Sequence, residues 1–185
     1  DEEDTNSAYV IDGLGAQRDL AIVNGDFAEM DFTVEEDERS SEDLTVTLDL
    51  RMSLSVDSDN QYTLRPLLRS VRTEDAGELT GSVTASCLNT SETNPRGAVY
   101  LFRGRNITPD DIDEQGTEPY ATAPVLLNGN GFNYRIAFIA PGSYTVALVC
   151  DGDEEDQTAD DDLNFRGISN VEIDEGETTE HDISA

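Results

Sequence analysis

The chain has 185 residues, 41 of them Asp or Glu against 11 basic ones, for a formal net charge of -30, and every basic residue is Arg. Such a surface repels nucleic acid, which needs clustered cations, and anionic lipid, and no run approaches the roughly 18 apolar residues of a membrane-spanning helix. It is tolerable where counter-ions are plentiful, as high salt or bound divalent cations, which points to an extracellular or cell-surface protein of a marine or saline environment.

Hydrophobic residues make up 36% of the chain. They gather in short alternating runs, the mark of a folded chain rather than an acidic disordered tail. No basic segment followed by an apolar stretch opens the sequence, so it reads as mature or truncated. After the acidic head Asp1-Glu2-Glu3-Asp4, strands are predicted at 19–23 and 27–33, followed by the acidic loop Glu35-Glu36-Asp37-Glu38. Leu44, Val46, Leu48, Leu50 and Met52 then alternate with Thr45, Thr47, Asp49 and Arg51, predicting one long half-buried strand with a wet Thr face. A turn at Asp57-Ser58-Asp59-Asn60 leads to strands at 61–65 and 67–72. The polar stretch Thr73–Gly77 is the expected boundary between domains at 1–76 and 77–185. About five short strands make the first domain a thin, incomplete sandwich. An open edge of this kind could be completed by a neighbouring copy, with Ala8-Tyr9-Val10-Ile11 as a candidate donor strand.

The second domain reads as strands at 78–87, 98–102, 124–127, 132–138, 144–150, 163–166, 171–174 and 178–183, with turns at Asn128–Gly131, Pro141-Gly142 and Glu175-Gly176. Phe132, Tyr134, Ile136 and Phe138 share one face. No window predicts a helix. The fold class is all-β, with two antiparallel β-sandwich modules. Cys87 shares a phase with Leu79, Gly81, Val83 and Ala85, as Cys150 does with Tyr144, Val146 and Leu148. Both sulfurs are therefore expected in one apolar layer, as a disulfide or as two buried thiols.

The segment from Phe132 to Cys150, centred on "FIAPGSYTVALVC", resembles the Pro-Gly-x-Tyr hairpin of transthyretin-like modules, also called carboxypeptidase-regulatory-like domains. The order "LTVTLDLRMSL", "YTLRPLLRSV", "GELTGSV", "AVYLFRG", "TPDDID", that hairpin, "ADDDLNFRG" and "VEIDEGETT" is similar to the C-terminal half of a family of secreted prokaryotic surface proteins, often lipoproteins, of unknown function. In that family a β-sandwich precedes a transthyretin-like module. The resemblance covers roughly residues 27 to 180. It implies a prokaryotic cell-surface protein and supplies no catalytic residues. The family's opening strands and lipidated N-terminal Cys find no counterpart in these residues, so the expectation is a fragment of a longer protein or a first sandwich completed by another segment.

The densest constellation is the acidic run from Asp151 to Asp162. Asp151, Asp153, Glu155 and Asp162 stand at positions 1, 3, 5 and 12 of a Ca²⁺ loop, and Asp160 lies beside them. Calcium takes six to eight oxygens in flexible geometry. Position 6 is Asp156 rather than Gly and no helix flanks it, so this is not an EF-hand. Asp110, Asp111 and Asp113 form a second acidic loop that could converge with the first. The alternative is a solvated acidic loop adapted to salt. His181 is the single histidine and is expected as an exposed strand residue without a nucleophile partner. Zinc is disfavoured. Asn89-Thr90-Ser91 and Asn106-Ile107-Thr108 match the glycosylation sequon. These features favour a non-enzymatic extracellular structural protein, a self-assembling filament or matrix subunit whose partners are copies of itself and whose stabilisers are Ca²⁺ and a disulfide. The alternative is a ligand-binding accessory module, with a glycan as possible partner.

Overall fold

The computed structural model describes residues 8–23, 42–57, 59–88, 96–113, 115–129, 131–152, 155–157 and 159–185. The acidic head, the strand expected at 27–33, the Glu35–Glu38 loop and the first sequon lie outside them.

The chain is all β, as expected. Its first part contains Tyr9–Ile11 (β1), Gln17–Ile22 (β2), Leu44–Leu48 (β3), a single helical turn at Leu50–Ser53 (α1), Leu54–Val56 (β4), Tyr62–Leu64 (β5) and Leu68–Arg72 (β6). These strands form a four-stranded sheet in the order β1-β2-β5-β4 and a two-stranded ribbon, β3-β6. Tyr9–Ile11, the candidate donor strand, pairs antiparallel with β2 of its own chain. Its backbone bonds on that side are satisfied locally, and among the described residues it forms the sheet's outer edge.

The long strand expected from Leu44 to Met52 is broken at Asp49. The Asp49 carboxylate accepts the Arg51 N–H at 3.1 Å and caps α1, the role for which Asp is favoured. It also accepts the Thr122 N–H at 2.7 Å and the Thr122 hydroxyl at 2.9 Å, which pins the turn to the second part of the chain. The ribbon is turned opposite to the expected way. Thr45 and Thr47 stand opposite Val71 and Arg69, and this is the face drawn inward. Val71 is buried, and Arg69 Nη2 donates to the Ala137 carbonyl at 2.9 Å. Val46 is consequently 60% exposed, and Leu50, beyond the ribbon in α1, is 59% exposed.

The second part comprises Gly77–Thr84 (β7), Ala98–Arg103 (β8), Ala121–Pro124 (β9), Leu126–Asn128 (β10), Gly131–Ile139 (β11), Gly142–Val149 (β12), Arg166–Ile173 (β13), Thr178–Glu180 (β14) and Ile183–Ser184 (β15). One sheet runs β10-β11-β7-β14, with β15 continuing along β7; the other runs β13-β12-β8-β9. Pairing is mostly antiparallel. The exceptions are β2 with β5, and β7 with β14 and β15. Leu79, Val83, Phe132, Tyr134 and Ile136 from the first sheet meet Val99, Leu101, Tyr144, Val146 and Leu148 from the second in one core.

The Pro141-Gly142 segment is not a paired hairpin. β11 pairs with β7 and β10, whereas β12 pairs with β8 and β13, so the chain crosses from one sheet to the other at this corner. A register shift between Ile136 and Ile139 accommodates it. Phe138 adopts φ 55° and turns outward, and Ile139 takes the buried place. Tyr144 donates its hydroxyl to the Ala140 carbonyl at 2.6 Å, and the Tyr120 hydroxyl accepts the Ala140 N–H at 3.2 Å. Gly81 is required where the C-terminal segment runs beside β7 between β14 and β15, since a Cβ there would lie 1.9 Å from the His181 carbonyl oxygen.

Cys87 and Cys150 form a disulfide with Cα atoms 6.0 Å apart. β7 ends at Thr84, so Cys87 lies in an exposed turn rather than on the expected strand face, while Cys150 is buried in the core. The bond joins the end of one sheet to the end of the other. Its sequence separation of 63 residues implies stabilisation of about 4 kcal/mol on the chain-entropy argument. The double variant Cys87→Ala/Cys150→Ala should therefore show a clearly lower urea midpoint. Alkylation of denatured, unreduced protein should add no mass, and two adducts would show the bond to be absent.

Candidate functional site

The sheet β13-β12-β8-β9 is covered on both sides. Val99 and Leu101 face the main core, while Ala98, Tyr100 and Phe102 of β8 and Ala147 and Val149 of β12 face outward and are equally buried. Ile107 and Ile112 from the loop after β8, Leu163 and Phe165 from the loop after β12, and Met52 from α1 pack over them. Phe165 meets Tyr100 edge-on, with ring centroids 5.4 Å apart. The strand expected at 163–166 is thus a loop that closes over this layer, and β13 begins only at Arg166.

Covering the aromatic layer brings the two acidic loops together. Tyr100 donates its hydroxyl to Glu155 Oε2 at 2.6 Å, and Glu155 Oε1 accepts the Ile112 N–H at 3.1 Å. Asp111, only 1% exposed, accepts the Asp161 N–H through Oδ2. Two overlapping triplets result: Asp111 with Asp113 and Asp160, and Asp111 with Glu155 and Asp161. Within each triplet, one oxygen per residue lies within 4.8 Å of the others. That spacing suits a cation with Ca²⁺–O distances of about 2.3–2.6 Å. The clusters could hold a metal ion. No Arg forms an ion pair with these carboxylates among the described residues.

Of the eight sequence candidates, Asp111, Asp113, Glu155 and Asp160 converge. Asp110 instead accepts the Thr117 N–H at 3.3 Å within its own loop. Asp151 and Asp162 are exposed and belong to neither triplet, and Asp153 lies outside the described residues. Asp161 is the member that sequence spacing passes over. The register of a helix-flanked Ca²⁺ loop selects position 162, whereas this loop follows the contour of the aromatic layer.

Burial pushes the pKa of Asp111 and of Glu155 up, and neighbouring carboxylates add to the effect. Hydrogen bonds from Tyr100 and from backbone N–H groups oppose it in part. The Tyr100 hydroxyl is likewise pushed well above its ordinary range by burial and by Glu155, so it stays a donor.

His181 is half-buried rather than exposed, and its Nε2 lies 2.8 Å from Ser169 Oγ. No carboxylate is hydrogen-bonded to its other ring nitrogen among the described residues. The second sequon residue, Asn106, exchanges hydrogen bonds with Asn170.

No family model matches the chain, and no curated protein matches it. Among solved structures, 71% of the chain aligns with 52% of the minor pilin GBS52 of the Gram-positive pathogen Streptococcus agalactiae, at 13% identity and a TM-score of 0.33. A provisionally assigned carbohydrate-binding protein of Pseudomonas aeruginosa aligns over 62% of this chain and 91% of its own, at 13% identity and a TM-score of 0.34. A provisionally assigned cell-adhesion protein of Bacteroides fragilis NCTC 9343 aligns over 68% and 44%, at 12% identity and a TM-score of 0.27. The likeness is too loose to fix topology or role.

The raised carboxylates set a pH dependence. A group whose folded pKa lies above its unfolded value contributes stability below the ordinary carboxylate range, and the contribution is lost as pH rises through the folded value. Asp12 and Asp182, held down by hydrogen bonds, act in the opposite sense, favouring the fold above that range. In chelator, Asp111→Asn should therefore melt higher than wild type at neutral pH, and the difference should shrink on mild acidification. Thermal melts across pH check it, and a variant that melts lower at neutral pH would refute the charge argument. Tyr100→Phe leaves Glu155 short of a donor and should cost about 1–3 kcal/mol, read from urea unfolding.

Proposed function

We propose that this chain is a non-enzymatic extracellular or cell-surface structural protein, a self-assembling filament or matrix subunit stabilised by its disulfide and by Ca²⁺ at the acidic cluster. The observation that carries the reading is the contrast between its two parts. Before Gly77, Leu20 and Val71 are the only buried apolar side chains among the described residues, while Tyr9, Ile11, Ile22, Val46, Leu50 and Val56 are exposed. Exposed apolar side chains in such number on so charged a chain favour a protein partner, and among the described residues β1 and β4 offer unpaired sheet edges for it. A second copy of the chain is the partner proposed. Contact through these edges and faces replaces the donation of Ala8–Ile11, since that segment is already paired within its own chain.

The charge of -30 supports a medium rich in counter-ions, and the disulfide suits an oxidising one. The division into modules at 1–76 and 77–185 and the transthyretin-like character of the second belong to the same proposal. A second reading, a ligand-binding accessory module, is favoured by a cleft between β6 and the sandwich.

Sedimentation and electron microscopy of the purified chain, in salt with and without Ca²⁺, test the proposal. Concentration-dependent polymers are expected, together with a Ca²⁺-induced rise in melting temperature, because the ion binds only the folded state. Asp111→Asn should lose most of that rise, and Val46→Glu/Leu50→Glu should suppress assembly without unfolding 77–185. A monomer at high concentration in both media would overturn the filament reading. An equal Ca²⁺ response from Asp111→Asn would leave ionic screening as the better account of the cluster.

A further inference from the structure

In a chain of net charge -30, four of the 11 arginines line one cleft: Arg65, Arg69, Arg72 and Arg103. The cleft measures about 870 Å³ and lies between β6 and the sandwich, within the range of roughly 300–1,000 Å³ usual for small-molecule sites. Arg72 is already engaged with Glu42, Glu74 and Asp75. Two others are not. Arg103 is exposed at the end of β8, its guanidinium carbon 4.0 Å from the centroid of the Tyr120 ring, and no carboxylate pairs with it among the described residues. Arg69 lies 5.5 Å from the same ring. Its Nη2 is held by the Ala137 carbonyl, while its Nε and Nη1 are buried without a hydrogen-bond partner and no carboxylate forms an ion pair with it among the described residues.

The remaining walls narrow the chemistry. Met52, Leu67, Pro119 and Pro141 are apolar, and Asp75 and Glu118 bring carboxylate oxygens. A fatty acid would satisfy the cation but would lay its chain against Asp75, which already faces Arg72, and Glu118, whose Oε1 already accepts the Asp113 N–H, without supplying donors to their remaining lone pairs. A small inorganic anion would leave the apolar walls unused. A sugar acid brings all three complements together: a carboxylate for Arg103, hydroxyl donors for Asp75 and Glu118, and an aliphatic C–H face for the prolines and Leu67.

We infer that the cleft between β6 and the sandwich binds an acidic sugar, with Arg103 receiving the carboxylate beside Tyr120 and half-buried Arg69 supplying a supporting positive field. The inference rests on the ligand-binding reading and names its substrate class.

The test is calorimetric titration of the full chain at fixed ionic strength with digalacturonate, its neutral dimethyl ester and inorganic sulfate. Saturable binding of the free acid is expected. It should weaken about tenfold or more in Arg103→Gln, as loss of a charge-assisted bond implies, and by a similar factor for the ester. Arg105→Gln removes the same charge outside the cleft and should change binding less than about twofold. Equal binding of ester and acid would overturn the acidic-sugar inference while leaving a glycan module in place. Sulfate binding as strong as the acid, with the same Arg103 dependence, would overturn it in favour of a simple anion site. No binding of any probe would remove both the inference and the reading beneath it.

Discussion

The outer face of the β13-β12-β8-β9 sheet has to be covered, and much of the structure follows from how it is done. Tyr100 and Phe102 project from a central strand on the side away from the main core, and burying a side chain of that size contributes about 1.5–3 kcal/mol. The segments available to cover them are the acidic loops after β8 and β12. Two carboxylates about 5 Å apart repel by about 3 kcal/mol at an effective dielectric constant near 20. Burial of the aromatic layer can outweigh one or two such pairs. It cannot outweigh every pair in the two triplets around Asp111 if all are ionised. Proton uptake or a bound cation resolves the conflict, and the upward pKa directions of Asp111 and Glu155 express the first of these. The acidic cluster is thus a consequence of covering a sheet, and its capacity for a cation comes with the same geometry.

Arginine makes the attachment between the two parts possible. Arg51 donates to the Gly152 carbonyl at 2.5 Å, and Gln157 donates back to the Arg51 carbonyl at 2.6 Å, while Arg69 reaches the Ala137 carbonyl. In a chain with 41 carboxylates, these guanidinium groups are bonded to backbone oxygens instead. A planar group with five donors can do this and still stack on an aromatic ring, which a lysine ammonium cannot. With Asp49 bonded to Thr122, the contacts fix α1 and β6 against a sandwich that they enter with few buried apolar groups of their own.

Period two was readable wherever a strand has one dry and one wet face, and the core positions Leu79, Val83, Tyr144, Val146 and Leu148 follow it directly. It failed where tertiary contacts outrank alternation. Residues 44–52 alternate without fault, yet Asp49 is better satisfied as a cap and as the acceptor of Thr122 than as one wet position among others. The Thr face turns inward because Arg69 and Val71 lie on it. Phe138 continues the alternation of β11 but meets a corner at which the chain changes sheets, so a bulge hands its place to Ile139. The meeting of the acidic loops was legible as a possibility, but its membership was not. Spacing along one loop cannot report which carboxylates a second loop, 40 or so residues away, will face.

Glu118 joins the two regions of opposite sign. It lines the arginine cleft and also accepts the Asp113 N–H at 3.4 Å, beside the acidic cluster. Partial desolvation at the cleft wall raises its pKa first, and the charges of Asp113 and Asp111 raise it further. Positive charge held by the triplets would relieve that second contribution and favour the ionised form of Glu118. An additional negative charge would then stand in the cleft wall, opposite in effect to Arg103. Linkage makes such an influence reciprocal, so occupancy of the cleft by an anion would disfavour a cation at the cluster only in so far as Glu118 responds. Solvent screening at this exposed carboxylate keeps the coupling small. The fold therefore places its cationic cleft and its carboxylate cluster within one residue's reach while leaving them nearly independent.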